Sequence, residues 1–272
     1  MTDQIRPATE ADYPAYAVLF RELAIDEPTP SAERFAAEVA PRTLIYDRDG
    51  EALGYISYNN LAGRGYIQNL VVAPAVRGAR IGEALMTAAA GALRAWGAAG
   101  EWHLNVRVDN PPAIRLYERL GLRAAYPTTV LRLPWSHLDR LPVDAAPATI
   151  APVGDEEVGE LEHVLGLLAG RLQLARSRGR ITFQLRCAGE PAGVVCFDAV
   201  LGAFPFAVRR PGLAAPLLRS LAPHVPADAV LKLVIERDAA LCEALIAAGA
   251  AVDLRLLHYI GPLPVPNDAA RR

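Results

Sequence analysis

Twice in this chain an apolar strand pattern runs straight into a short helix closed by glycine, and that repetition constrains the fold more than any other feature. The first copy is LNVRV at 104–108 followed by NPPAIRLYERLG from Asn110 to Gly121. The second is LKLVI at 231–235 followed by DAALCEALIAAG from Asp238 to Gly249. The helices agree in length, apolar spacing and terminal glycine, the residue that most easily takes the left-handed conformation after a helix. We read the pattern as an internal duplication, two copies of one α/β unit. A chain of 272 residues accommodates two such domains, each with its own core.

The remaining elements are consistent with that reading. In the first half, Ile5 opens a strand, and Tyr16, Leu19, Phe20 and Leu23 follow at helical spacing. A short helix over 31–39 has Ser31 as its N-cap. Strands at 43–46, 53–58 and 66–72 lead to a long helix whose expected buried face is Ile81, Leu85, Ala88, Ala92 and Trp96. A strand, the first glycine-closed helix and a strand over 125–133 complete the half. From Pro134 to Pro147 the periodicity fades among prolines and aspartates, which marks a link. The second half repeats the order: a helix over 156–174, a hairpin about Ala188–Pro191, and strands at 204–208, 230–235 and 252–259. The expected fold class is α/β, with domains at 1–140 and 147–264, each a mixed central sheet flanked by helices.

Composition narrows the function. The formal net charge is −2 and no dense run of Lys or Arg occurs, so the basic footprint of a nucleic-acid binder is missing. Three cysteines, Cys187, Cys196 and Cys242, lie in apolar surroundings at irregular spacing, which fits neither a disulfide framework nor a metal site. The first residues carry charge and no apolar run, and no segment reaches membrane-spanning length. A soluble, cytoplasmic protein without membrane or nucleic-acid partners, monomeric or homodimeric, is expected.

Chemistry concentrates in two segments. In LVVAPAVRGARIGEAL, from Leu70 to Leu85, an apolar strand passes through a basic, glycine-containing turn into a helix. Helix starts leave N–H groups unpaired and carry partial positive charge, which suits a pyrophosphate. Gly78 and Gly82 admit close approach, and Arg77 and Arg80 add full charge. In the second segment Asn110, Ala113, Leu116 and Tyr117 give a helix with a polar start and a tyrosine on its apolar face.

In this order and spacing the two segments resemble the GNAT N-acetyltransferase superfamily. Arg77-Gly78-Ala79-Arg80-Ile81-Gly82 corresponds to its phosphate loop, and Asn110 to Tyr117 followed by Gly121-Leu122 to its second signature. Arg80 stands where the family has a glycine, so negative φ is expected there. The resemblance implies acetyl-CoA as acyl donor, held by N–H groups from Gly78 to Gly82 and by the backbone of Leu70, Val71 and Val72, with Asn110 on the pantetheine arm. It implies that strands 66–72 and 102–108 splay apart, that Tyr117 protonates the departing thiolate, and that no metal takes part. Where many relatives carry a glutamate base this chain has Gln68, which could hold a water; Glu27, Asp26 and His103 are the other candidates. The expected acceptor is a primary amine on a small molecule. Protein amines, a non-catalytic or regulatory acyl-CoA binder, and a mycothiol-synthase-like role are the alternatives. The second half resembles a GNAT domain without its site: Pro211 and Pro216 remove donors from its turn, and Asp238 and Leu245 replace Asn110 and Tyr117.

Overall fold

A computed structural model describes residues 2–145 and 147–265. The chain divides into two compact units, and they are not sequential: 1–125 join 258–272, while 126–257 form the other. The boundaries therefore differ from the 1–140 and 147–264 expected. Each half sends its last strand out of its own sequence half, because strand pairing is set by register and not by nearness along the chain.

In the first unit, β1 (Asp3–Pro7), β2 (Thr43–Arg48), β3 (Glu51–Leu61), β4 (Arg64–Val72) and β5 (Glu101–Arg107) lie side by side in that order. The final residues of β12 (Ala251–Pro262) from His258 onward complete it beside β5. The first three pairings are antiparallel, and β4 to β5 is parallel. One face is covered by α1 (Tyr13–Phe20) and by α2 (Ala32–Arg34), which runs on as a wider turn over Phe35–Val39. Ser31 caps α2 as expected, its Oγ accepting from Arg34 N at 3.2 Å. Tyr16, Leu19, Phe20 and Phe35 close over Ile45, Tyr55 and Val71 to form that half of the core.

The long helix α3 (Ile81–Ala95) buries Ile81, Leu85, Met86, Ala89, Ala90 and Leu93. This face is rotated from the expected one, and Trp96 is exposed just beyond the helix end. Steps of three and four residues can be combined in more than one order from Ile81, and packing selects among them. The packing is close: a β-carbon on Gly65 would lie 2.8 Å from Leu93 Cδ1, and one on Gly54 only 2.7 Å from the Val71 carbonyl oxygen. Helix α4 (Pro111–Arg119) follows β5.

The second unit begins within β6 (Arg123–Pro134), which pairs antiparallel with β11 (Val230–Glu236). The order continues through β10 (Gly202–Val208), β9 (Glu190–Asp198), β8 (Ile181–Cys187) and β7 (Ala148–Pro152). The helix expected over 156–174 is two helices, α5 (Val158–Val164) and α6 (Arg171–Ser177), separated at Gly166 and Gly170, both at positive φ. Buried Glu162 makes the break possible: its carboxylate accepts from Gly170 N at 2.8 Å and Leu172 N at 2.7 Å, capping α6. Helices α7 (Ala214–Arg219) and α8 (Ala239–Ala247) complete the unit, with Leu213, Leu217, Leu218 and Leu221 buried around α7. All three cysteines are free thiols, and burial pushes that of Cys196 up to about 12. No helix among the described residues is long and apolar enough to cross a membrane.

Candidate active site

The site starts from a defect in a strand. Across the β3–β4 pair, Tyr58 faces Ile67 and Ser57 faces Asn69, so Gln68 is an extra residue with no partner. Such a bulge bends its strand and raises the local twist. The parallel β4–β5 pairing accordingly runs from Gly65 and Trp102 to Ile67 and Leu104 and ends there. Beyond it β4 continues on β3 alone to Val72, and β5 continues to Arg107. Leu70, Val71 and Val72 therefore sit on a strand edge that opens toward β5. The side chain of Val71 is anchored under α1, which holds that edge rigid.

The turn after β4 feeds directly into α3. Gly78 has φ +88°, and Arg80, the residue preceding the helix, has φ +59° and ψ +13°. The expectation of negative φ at Arg80 is thus overturned. The chain must reverse sharply between Gly78 and Ile81, and the left-handed conformation is what achieves it, at a cost of about 1 kcal/mol for a residue with a β-carbon. The first N–H groups of α3, including those of Ile81 and Gly82, have no acceptor within the helix. A β-carbon on Gly82 would lie 3.2 Å from Leu116 Cδ2, so this glycine also lets α4 pack closely. The two arginines differ: Arg77 is engaged, its Nη2 2.9 Å from Glu22 Oε2 and its Nε donating to the Val72 carbonyl at 3.1 Å. Exposed Arg80 has no ion pair among the described residues, so it supplies the available charge. Ala79 lies between them, exposed.

On α4, Asn110 serves as N-cap, its Oδ1 accepting from Ala113 N at 3.3 Å. Pro111 and Pro112 occupy the first helical positions, where no N–H is needed. One position past Leu116, Tyr117 is buried to 7% exposure, and its hydroxyl has no hydrogen bond among the described residues. Burial raises its pKa above the usual tyrosine value, which keeps the hydroxyl protonated across the physiological range.

The candidate bases are spread out. Gln68 is exposed at the bulge. Asp26 and Glu27 follow α1 on a loop tied down by Arg107, whose Nη1 donates to the Ala24 carbonyl at 3.2 Å. Glu27 is near enough to Tyr16 to add to the pKa rise that burial causes there. His103 is only 3% exposed, and its Nδ1 lies 3.0 Å from Nε2 of His258. Sequence reasoning missed His258 and Glu101 as its partners, and Asn105, which bonds His258 in turn; only the alternation of 101, 103 and 105 along one strand face hinted at Glu101 and Asn105.

In the second unit β10 and β11 also part, with Ala203 and Leu233 their one register pair. A cavity of about 310 Å³ lies at the opening, lined by Phe204, Phe206, Ile235 and Asp238 among others. The neighbouring turn is filled from within. A β-carbon on Gly212 would fall 2.5 Å from Asp144 Oδ1, Asp144 N donates to the Gly212 carbonyl at 3.1 Å, and Asp144 Oδ2 lies 3.1 Å from Arg210 Nε. Asp238 caps α8 through Leu241 N at 2.9 Å, and Leu245 is buried where α4 has Tyr117.

Comparison with known proteins agrees with this geometry. The model of the "Acetyltransferase (GNAT) family" matches residues 6–122. An N-alpha-acetyltransferase of Sulfurisphaera tokodaii is 36% identical over 92 residues, in a match covering 29% of this chain and 55% of that protein. The match spans about half the length of this curated relative. A GCN5-related N-acetyltransferase from Sphaerobacter thermophilus superposes with TM-score 0.66 at 20% identity, covering 97% of this chain and 96% of that one. A tandem GNAT protein from the clavulanic acid biosynthesis pathway gives TM-score 0.64 at 17% identity, covering 98% and 100%. Such identities speak for the fold, and the fold they share spans both units. Residues 6–122 are thus similar to the GNAT acetyltransferase family, and the fold of the chain is similar to that of a tandem GNAT protein.

Proposed function

We propose that the first unit transfers an acetyl group from acetyl-CoA directly to a primary amine of a small molecule. One observation carries the reading: beyond the bulge at Gln68 the edge of β4 is open toward β5 and runs through a short turn into the unpaired start of α3. The residues present fit acetyl-CoA. N–H groups of Gly78, Ala79, Arg80, Ile81 and Gly82 would hold its pyrophosphate, with Arg80 adding charge. The edge from Leu70 to Val72 offers backbone groups to an extended amide-bearing arm, as to an added strand. Ala113 and the amide of Asn110 border the same arm. The donor supplies the activated acyl group as a thioester.

The chain's own residues do the rest. An N–H on the edge near Leu70 or Val71 stabilises charge on the carbonyl oxygen during attack. Tyr117 delivers a proton to the departing sulfur. Gln68 cannot titrate, and its role is to hold polar groups at the mouth of the opening. In the second unit the turn filled by Asp144 and the absence of a hydroxyl at Leu245 support a non-catalytic part, so one CoA per chain is expected.

The name of the Sulfurisphaera relative favours a second reading, in which the amine is a protein N-terminus. A thiol-release screen with acetyl-CoA decides between them, using small primary amines and short peptides with free N-termini. Release with small amines supports the first reading, and release with peptides alone supports the second. No release with any amine would leave an acyl-CoA binder without catalysis.

A further inference from the structure

A string of polar groups, with two buried histidines at its centre, runs along one face of the first unit's sheet from the β4–β5 opening to the surface. At its outer end Glu101, with a side chain 44% exposed, pairs with Arg64 at 3.1 Å and lies 3.2 Å from His103 Nε2. His103 Nδ1 is 3.0 Å from His258 Nε2, and His258 Nδ1 is 2.9 Å from Asn105 Oδ1. Asn105 Nδ2 donates to the hydroxyl of Tyr66 at 3.4 Å, and the Tyr66 ring stacks on His258. His103 and His258 are 3% and 0% exposed. Asn105 follows Leu104, where strand pairing ends, so the inner end of the string lies level with the bulge at Gln68.

Counting protons along the string leaves two arrangements. A neutral imidazole carries one N–H, and an amide oxygen only accepts. Asn105 Oδ1 therefore requires the His258 proton on Nδ1. His258 Nε2 then accepts from His103 Nδ1, while His103 Nε2 faces a carboxylate and must carry a proton as well. As arranged, the string holds one proton more than two neutral rings, and His103 is the imidazolium, paired with Glu101. Turning the Asn105 amide over yields a second fully bonded arrangement with neutral rings. Asn105 Nδ2 then donates to His258 Nδ1, His258 Nε2 to His103 Nδ1, and His103 Nε2 to Glu101. The two arrangements differ by one proton and by the tautomer of His258.

We propose that this string is the proton outlet of the acetyl-transfer site, an inference that rests on the amine-acetylation reading above. In that reaction an ammonium and a thioester become an amide, a thiol and one free proton. The N–C bond forms, the C–S bond breaks, and sulfur keeps the bonding pair and takes a proton from Tyr117. Nitrogen loses two protons, one of which restores Tyr117. The other is taken up at His258 Nδ1 as the Asn105 amide turns over to present Oδ1 to it, shifts the Nε2 proton to His103, and leaves through Glu101 to water. The base that Gln68 cannot be is then a relay set behind it, with Arg64 and Tyr66 on β4 and Glu101 on β5 as the charged and titratable groups around the rings.

The test begins with ring ¹⁵N spectra of the full chain between pH 9 and pH 5. On acidification His258 should move from the Nε2–H to the Nδ1–H form in the same step in which His103 gains its second N–H. Glu101→Gln changes only a half-exposed side chain and should lower that step by about one pH unit, the usual scale for losing a neighbouring opposite charge. Rings that keep one tautomer each over this range, or a step indifferent to Glu101→Gln, overturn the proposal. The second arm is kinetic, with an amine found by the thiol-release screen. His258→Asn should reduce turnover about 100-fold, the lower range for acid–base catalysis, and alter the pH profile with CoA affinity retained. A merely structural role would lower the melting temperature and leave the shape of that profile unchanged. Full turnover in His258→Asn with the same profile removes the outlet and leaves acetyl transfer standing. Absence of acetylation with every amine, despite the ring step, removes the acetyl-transfer reading and the outlet role with it.

Discussion

Tyr117 and Arg80 each hold a state that their surroundings enforce. The Tyr117 side chain is largely buried, its hydroxyl makes no hydrogen bond among the described residues, and burial favours its protonated form. Tyr117→Phe should keep CoA affinity and lower turnover about 10²–10⁴-fold, measured by thiol release at saturating acetyl-CoA. A loss of less than about threefold, well short of that range, would assign the proton to another donor. Arg80 couples a left-handed backbone to a free charge, and two variants separate them. Arg80→Gly relieves about 1 kcal/mol of strain, so the melting temperature should rise while CoA binds more weakly. Arg80→Ala should weaken binding without that gain, and calorimetry with thermal melts checks both. A third residue governs acid stability. Arg6 donates to Asp12 at 2.7 and 2.9 Å and holds the Asp12 carboxyl at about 2, below its usual value. The folded-state pKa is depressed, so the contribution is fully present above the unfolded value of about 4. It is lost as pH falls from there toward 2. Asp12→Asn should destabilise the chain at neutral pH by about 1–3 kcal/mol and flatten its stability between pH 4 and 2, read by denaturant melts.

At the scale of elements, the bulge in β4 separates a closed sheet from an open strand edge. Removing Gln68 alone would restore alternation between Ile67 and Asn69 without moving Leu70 or Val71 to the other face. The deletion variant should fold with unchanged helix and strand content by circular dichroism but lose CoA binding in calorimetry, because β4 and β5 can then pair further. Gln68→Ala leaves the bulge in place and should keep binding. Binding retained by the deletion would place the cleft elsewhere. The helices and turns here were readable from sequence because their determinants lie within a few residues. Ser31 caps by its own Oγ, Asn110 by its own Oδ1, and Gly121 ends α4 at positive φ. The expected burial of Trp96 and the single helix over 156–174 failed for the opposite reason. The first was decided by the sheet beneath α3, and the second by the Glu162 carboxylate, which reaches N–H groups eight and ten residues on, beyond the helical repeat.

For the whole molecule, the two compact units each borrow a strand from the far half of the chain. The first unit buries Tyr259 and Leu263 from its borrowed segment, and Leu263 N donates to the Gly100 carbonyl at 2.9 Å. A protein truncated after Leu257 should therefore lose the fold of its first unit. We expect a melting temperature lower by at least about 10 °C, the scale of a few kcal/mol for a domain of this size, together with loss of CoA binding. A fragment ending at Pro134 should fare no better, although it contains every residue of both signature segments. Sequence alone determined the α/β class, the repeated strand and glycine-closed helix, the turn from β4 into α3 and the Asn110 cap of α4, because periodicity, caps and glycines act between near neighbours. Only the tertiary structure decided the exchange of β6 and β12, the opening at Gln68, the carboxylate of Asp144 in the second turn and the contact of His103 with His258. Those contacts join residues far apart in the chain, 155 positions for the two histidines. Register and burial select them from many pairings that the local pattern allows equally.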